Sequence, residues 1–256
     1  MNTKQNALAK IKIVEQSPLD TFVIHYSSES FIDKPDGYSP RISSIAVQNF
    51  GTGQTYSFSI HHMAEVEKVS RNEIESHYDQ LERKMLDEFF SFVEKHKSCI
   101  YVHWNMRNST YGFQAIYHRF RVLGGSPIVL DEGRLIDLAK TLKEIYGTNY
   151  INHPRMSMLL ERNKITKQSF LTGSEEGEAF TKKEYFRLHF STLRKVESFS
   201  AIIQLIMEGK LKTNEHPLVS KVKDMHEHWL FQLVELILAI IGLTTVLLTI
   251  LANTPP

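Results

Sequence analysis

The chain has 256 residues, with 30 Lys plus Arg against 29 Asp plus Glu, 42% apolar residues and 11% aromatics. This composition excludes wholesale disorder and fits one or two folded domains. A formal charge of +1 argues against a histone-like or strongly acidic partner surface, although a local basic patch fits inside a balanced total.

Met1 to Gln16 carries Lys4, Lys10 and Lys12 without a long apolar core or a small-residue cleavage site, so residues 1–18 read as a short lead-in and not as a secretory signal. Three β-rich runs follow: Thr21 to Ser27, Arg41 to Gln48 and Gln54 to Ile60, the last two joined by a hairpin turn at Asn49 to Gly53. Ala64 to Lys97 has helical spacing, with Leu81, Met85, Phe89, Phe92 and Val93 on one face. It predicts one long helix or two in series. Cys99 to Trp104 reads as a buried strand, which makes the single cysteine a buried thiol of a reducing compartment. Tyr111 to Leu123 predicts a helix stopped by Gly124-Gly125, and Pro127 to Leu130 a short strand or extended piece. Helices are expected over Arg134 to Tyr146 and Lys182 to Glu208, and a flexible loop over Lys164 to Gly177.

Three antiparallel strands followed by strand-helix units define an α/β fold with a mixed sheet. This order resembles the ribonuclease H-like fold, and in particular the DEDD-type 3′-to-5′ exonucleases. Phe22 to Ser30 followed by Arg41 to Val47 looks like the family's first two strands, His103 to Phe113 like its strand-to-helix segment with the third carboxylate, and His189 to Arg194 like its closing motif. The resemblance implies an exonuclease-like domain over 19–212. It also implies that the four metal carboxylates are replaced by His25, Ser27, Ser109 or Thr110, and Arg194, with His189 at the position of the general base. Two divalent cations need hard anionic ligands, and a guanidinium repels them. The expectation is therefore an inactive enzyme with no catalytic residues and no cofactor; Mg²⁺ or Mn²⁺ enters only under the alternative, an active divergent exonuclease.

Other chemistry is sparse. His61-His62 are neighbours that would face opposite ways on a strand, and His226 and His228 point apart on a helix, so no metal site is expected. No Gly-x-Ser-x-Gly elbow, P-loop or dinucleotide fingerprint is present. The richest donor segment is His103 to Arg121. Asn105, Arg107 and Asn108, joined by Arg194, form the candidate binding set for a nucleotide or single-stranded nucleic acid, with Tyr26, Trp104 or Tyr111 for stacking. Arg119 and Arg121 read as part of a solvated helix face.

After a linker at 213–228, residues 229–252 hold one formal charge, Glu235. At ~1.5 Å per residue such a helix would reach about 36 Å, enough for a bilayer core of ~30 Å. Lys210, Lys212, Lys221 and Lys223 precede it and only the tail 253–256 follows. The expected layout is thus tail-anchored, with a single C-terminal transmembrane helix and a cytoplasmic N-terminal domain. Together these features predict a membrane-held binding or sensing module for a nucleotide, a nucleic acid or a protein partner.

Overall fold

The structure, a computed structural model, describes residues 2–29, 39–107, 111–214, 233–234, 236–241 and 243–244. The chain divides into two compact units, Met1–Lys212 and Thr213–Pro256.

In the first unit the β-rich runs form β1 (Thr21–Ser28), β2 (Ile42–Asn49) and β3 (Thr55–Ser59), and the later strands are β4 (Ile100–His103) and β5 (Leu135–Asp137). The sheet order is β3-β2-β1-β4-β5. β2 pairs antiparallel with both β1 and β3, whereas β4 joins β1 and β5 joins β4 in parallel, so the sheet is mixed. Alternation along β1 divides its side chains between two cores. Phe22, Ile24 and Tyr26 face one, and Val23 faces the other.

Helices cover both faces. The first core is closed by α2 (Ile60–Val66), α3 (Tyr78–Lys95) and α4 (Phe113–Val122). The second is closed by α1 (Thr3–Gln16), α5 (Leu138–Tyr146), α6 (Arg155–Arg162) and α8 (Tyr185–Met207). α7 (Gly173–Thr181) packs on α8 and reaches β1. The apolar stripe foreseen between Leu81 and Val93 is the buried face of α3.

Several expectations are corrected. The N-terminal lead-in is a helix, started by a capping box between Asn2 and Gln5, and it buries Ala7, Ile11 and Val14. For Ala64 to Lys97 the single long helix is ruled out and the alternative, two helices in series, holds: α2 and α3 with two 3₁₀ turns between them. Of the two readings of Pro127 to Leu130, a short strand or an extended piece, the strand is not formed; the fifth strand is Leu135–Asp137, and the helix after it begins at Leu138 and not at Arg134 because Asp137 Oδ1 accepts from Lys140 N at 3.2 Å as its cap. The loop at Lys164 to Gly177 ends in α7, whose start is fixed by the reciprocal hydrogen bonds of Thr172 and Glu175. Cys99 is only partly buried, with its thiol pushed up chiefly by burial.

Arg119 is not on a solvated face. It is 5% exposed, and its guanidinium bonds both oxygens of Glu82, which is fully buried, and also reaches Asp79. Glu82 Oε1 in turn accepts from Ile42 N at 2.7 Å, tying α3 and α4 to β2.

The transmembrane helix is not upheld. No helix among the described residues is long and apolar enough to cross a membrane. A span needs ~20 predominantly apolar residues. The longest described helix, α8, has 23 residues but carries Arg187, Arg194, Lys195 and Glu197 and packs its apolar face against the sheet. Of the segment 229–252, residues 233–234, 236–241 and 243–244 are helical, and the others lie outside the described residues. The fold of the described residues is therefore α/β with a mixed sheet and no membrane-spanning helix, and the single-pass membrane localisation read from composition is not supported.

Candidate functional site

Parallel strands β4 and β5 end side by side, with His103 in register with Asp137. Beside them opens a cleft of about 420 Å³. Its lining is mixed: the apolar Met106, Phe113, Tyr117, Val129, Leu130 and Leu135, together with Lys10 from α1, Arg107 from the loop after β4, Lys140 from α5, and the acids Glu132 and Asp137.

Asp137 organises the polar part of the lining. It is 7% exposed, its Oδ1 accepts from Asn105 N at 3.3 Å as well as from Lys140 N, and its Oδ2 faces the Arg107 guanidinium as an ion pair. Arg107 also donates to Asn105 Oδ1 at 2.9 Å. Lys140 leans toward Glu144 at 3.7 Å. Lys10 is half-buried and has no ion-pair partner among the described residues.

Gly112 caps α4 at φ 153°, where an added Cβ would lie 2.5 Å from the Met106 carbonyl. Only glycine fits that approach. Its N–H donates to the Tyr26 hydroxyl at 2.9 Å.

His103 also lines the cleft, its Nδ1 accepting from Met106 N at 3.2 Å. Burial brings it down to about 4, against the pull of Asp137. An unfolded histidine titrates near 6.5. Its folded pKa is depressed, so its stability contribution is present above about pH 6.5 and is lost as pH falls from there toward 4. The loss is roughly 3 kcal/mol over that window. His103→Asn keeps an acceptor for Met106 N, and urea melts of the variant should show a flatter decline between about pH 6.5 and 4 than the wild type. Parallel declines would remove His103 from the titration.

A second polar cluster lies inside the fold, between β1 and the α7–α8 pair. Glu176 is fully buried and Lys195 is 7% exposed; Lys195 Nζ meets Glu176 Oε1 at 2.7 Å, and Ser191 Oγ donates to the same oxygen at 3.0 Å. His25 lies on the β1 side with Nδ1 3.3 Å from the Tyr111 hydroxyl, and is held well below its ordinary value by burial and then by the Lys195 charge. Glu176 Oε2, His25 Nε2 and Ser27 Oγ are buried without a partner.

The residues singled out in the sequence are not gathered in one place. Asn105 and Arg107 are at the cleft. Asn108, Ser109 and Thr110 lie outside the described residues. His25 and Ser27 point into the interior. His189 turns to His61 of α2, with ring centroids 4.9 Å apart. Arg194 is held by Glu197 at 2.6 Å and by the Gln168 carbonyl at 2.9 Å, and it is the next residue, Lys195, that faces the sheet. Tyr26 and Tyr111 stack on each other at 4.7 Å, and Trp104 stacks on Phe199. Lys10, Phe113, Tyr117 and Lys140 line the cleft instead. The one sequence signal for them is Asp137, a capping residue directly after an apolar run.

No family model matches the chain, and no curated protein and no solved structure matches it. The resemblance of three short segments to the DEDD-type exonucleases is therefore not upheld. Each segment is short, and the positions it would assign are dispersed as described. Among the described residues no group of three or more His, Cys, Asp or Glu is assembled to hold a metal ion.

Proposed function

We propose that this chain is a non-catalytic binding module for an anionic ligand of nucleotide type, a free nucleotide or the end of a short single strand, taken up in the cleft at the ends of β4 and β5. The supporting observation is the lining of that cleft, which combines apolar side chains with three cations. A base needs apolar contact, which the exposed Val129 and the half-buried Leu135 offer, while Phe113, Tyr117 and Leu130 are buried. A phosphate needs clustered donors, which Lys10, Arg107 and Lys140 offer.

Asp137 and Glu132 reduce the field without cancelling it. With His103 neutral, three cations face two carboxylates. Arg107 engages Asp137 through Nε and Asn105 through Nη2, and a guanidinium has five N–H donors, so it retains some for a ligand. Asp137 then acts as a positioning residue that holds the guanidinium at the cleft mouth.

The test is fluorescence anisotropy of the full chain at low salt with a labelled adenine nucleotide and a labelled short oligothymidylate. Lys10→Ala and Arg107→Ala should each weaken binding about fivefold or more and lower the salt slope by ~1 for every phosphate left without its cation. Arg194→Ala and Arg121→Ala, outside the cleft, should leave both unchanged. Absent binding, or equal losses in all four variants with circular dichroism unchanged, would overturn the proposal.

A further inference from the structure

The side chain of Arg107 is held by Asp137 and Asn105, but its backbone is held from another direction. Arg107 forms an antiparallel bridge with Gly112. Its N–H donates to the Asn105 carbonyl at 2.9 Å, in a turn where Asn105 takes φ 56°. Asparagine tolerates that left-handed region better than most residues. Gly112 is buried, and as the N-cap of α4 its N–H has no acceptor within the helix. The Tyr26 hydroxyl on β1 supplies that acceptor at 2.9 Å.

Tyr26 is firmly seated. It is 1% exposed, sits in the central strand of the sheet as part of the first core, and stacks on Tyr111 at 4.7 Å. The Tyr111 hydroxyl also donates to the Tyr26 carbonyl at 3.4 Å. One residue of β1 therefore grips Tyr111 by its carbonyl and Gly112 by its hydroxyl, while lying outside the cleft lining itself.

We propose that Tyr26 is a positioning residue for the anion site of this cleft, a role that rests on the nucleotide reading for its ligand but not for its geometry: through Gly112 it fixes the backbone of Arg107. A guanidinium presented in place loses less freedom when a phosphate binds, which strengthens binding without any added contact. Without the Tyr26 hydroxyl the Gly112 N–H is buried and lacks its acceptor. Gly112 then gains by moving toward water, and its bridge partner Arg107 moves with it.

Tyr26→Phe removes one oxygen and keeps the stacked ring. In the full chain it should weaken binding of the labelled adenine nucleotide about threefold to tenfold. Tyr26→Phe/Arg107→Ala should bind no more weakly than Arg107→Ala, because the two act as one unit. Tyr78→Phe, which frees a comparably buried hydroxyl from the Ile42 carbonyl at 3.0 Å, should leave affinity unchanged and controls for a general loss of stability. NMR of the protein without nucleotide supplies a second readout: the Arg107 Nε–H, paired with Asp137, should exchange faster with solvent in Tyr26→Phe and not in Tyr78→Phe. If no nucleotide binds the wild type, the ligand reading fails and the Arg107 signal still decides the role of Tyr26. Additive losses in the double variant, an equal loss in Tyr78→Phe, or an unchanged Arg107 signal would overturn that role.

Discussion

Replacing Arg119 by Met should destabilise the protein by about 3–5 kcal/mol, the cost of removing one partner from a buried ion pair. The Glu82 carboxylate it leaves behind is fully buried, already raised to about 7 by burial even with the guanidinium present, and committed through Oε1 to Ile42 N. Without Arg119 its pKa moves higher still. The variant must then hold a proton on Glu82 above pH 7, where the wild type has released it, so the deficit should widen from about pH 7 to about pH 9. Glu82→Gln retains an acceptor for Ile42 N, and Arg119→Met/Glu82→Gln should recover part of the loss because no unpaired charge remains. Urea unfolding across pH checks both statements. A cost below about 1 kcal/mol for Arg119→Met would class the pair with surface salt bridges.

The second large effect is expected at Lys195. Lys195→Met strands Glu176, whose Oε2 already lacks a partner and whose Oε1 would keep only Ser191. A loss of about 3–5 kcal/mol is expected, with substantial recovery in Lys195→Met/Glu176→Gln. A second readout separates electrostatics from packing. The Lys195 charge contributes to the depression of His25, so NMR titration should find the His25 pKa raised in Lys195→Met and in the double variant alike. An unmoved His25 would remove Lys195 from its electrostatic surroundings.

How much of the molecule is legible in its sequence depends on the range of the interactions. The β1 to β3 meander is readable because its pattern and its turn are local. The same holds for the stripe of α3, which repeats at helical spacing. α7 is hidden because Gly173 and Gly177 signal loop, although Thr172 and Glu175 stand at capping-box spacing and are the better guide. Arg119 reads as solvated because its partner Glu82 lies on another helix, and no local pattern pairs them. Motif spacing selects Arg194 over Lys195, whereas the buried series Leu188, Thr192, Lys195, Phe199 along α8 selects Lys195. The apolar segment 229–252 is marked by composition, but only part of it belongs to the described residues, none of whose helices is long and apolar enough to cross a membrane. The cleft draws on α1, the loop after β4, α4 and α5, so it cannot be assembled from spacing along the sequence.

The position of β1 in the sheet has a consequence during synthesis. β1 finds its antiparallel neighbour almost at once, since β2 and β3 follow directly. The helix that covers its other face, α8, emerges last among the sheet-covering elements. At about 5–20 residues per second, the stretch between Ser28 and Tyr185 corresponds to on the order of 10–30 s on the ribosome. Throughout that interval Val23 and Ala46 have no α8 over them, and a nascent chain paused before Tyr185 presents an uncovered sheet face to the cell. Codon choice and chaperone supply ahead of α8 should therefore influence the yield of native protein more than the same changes made after it.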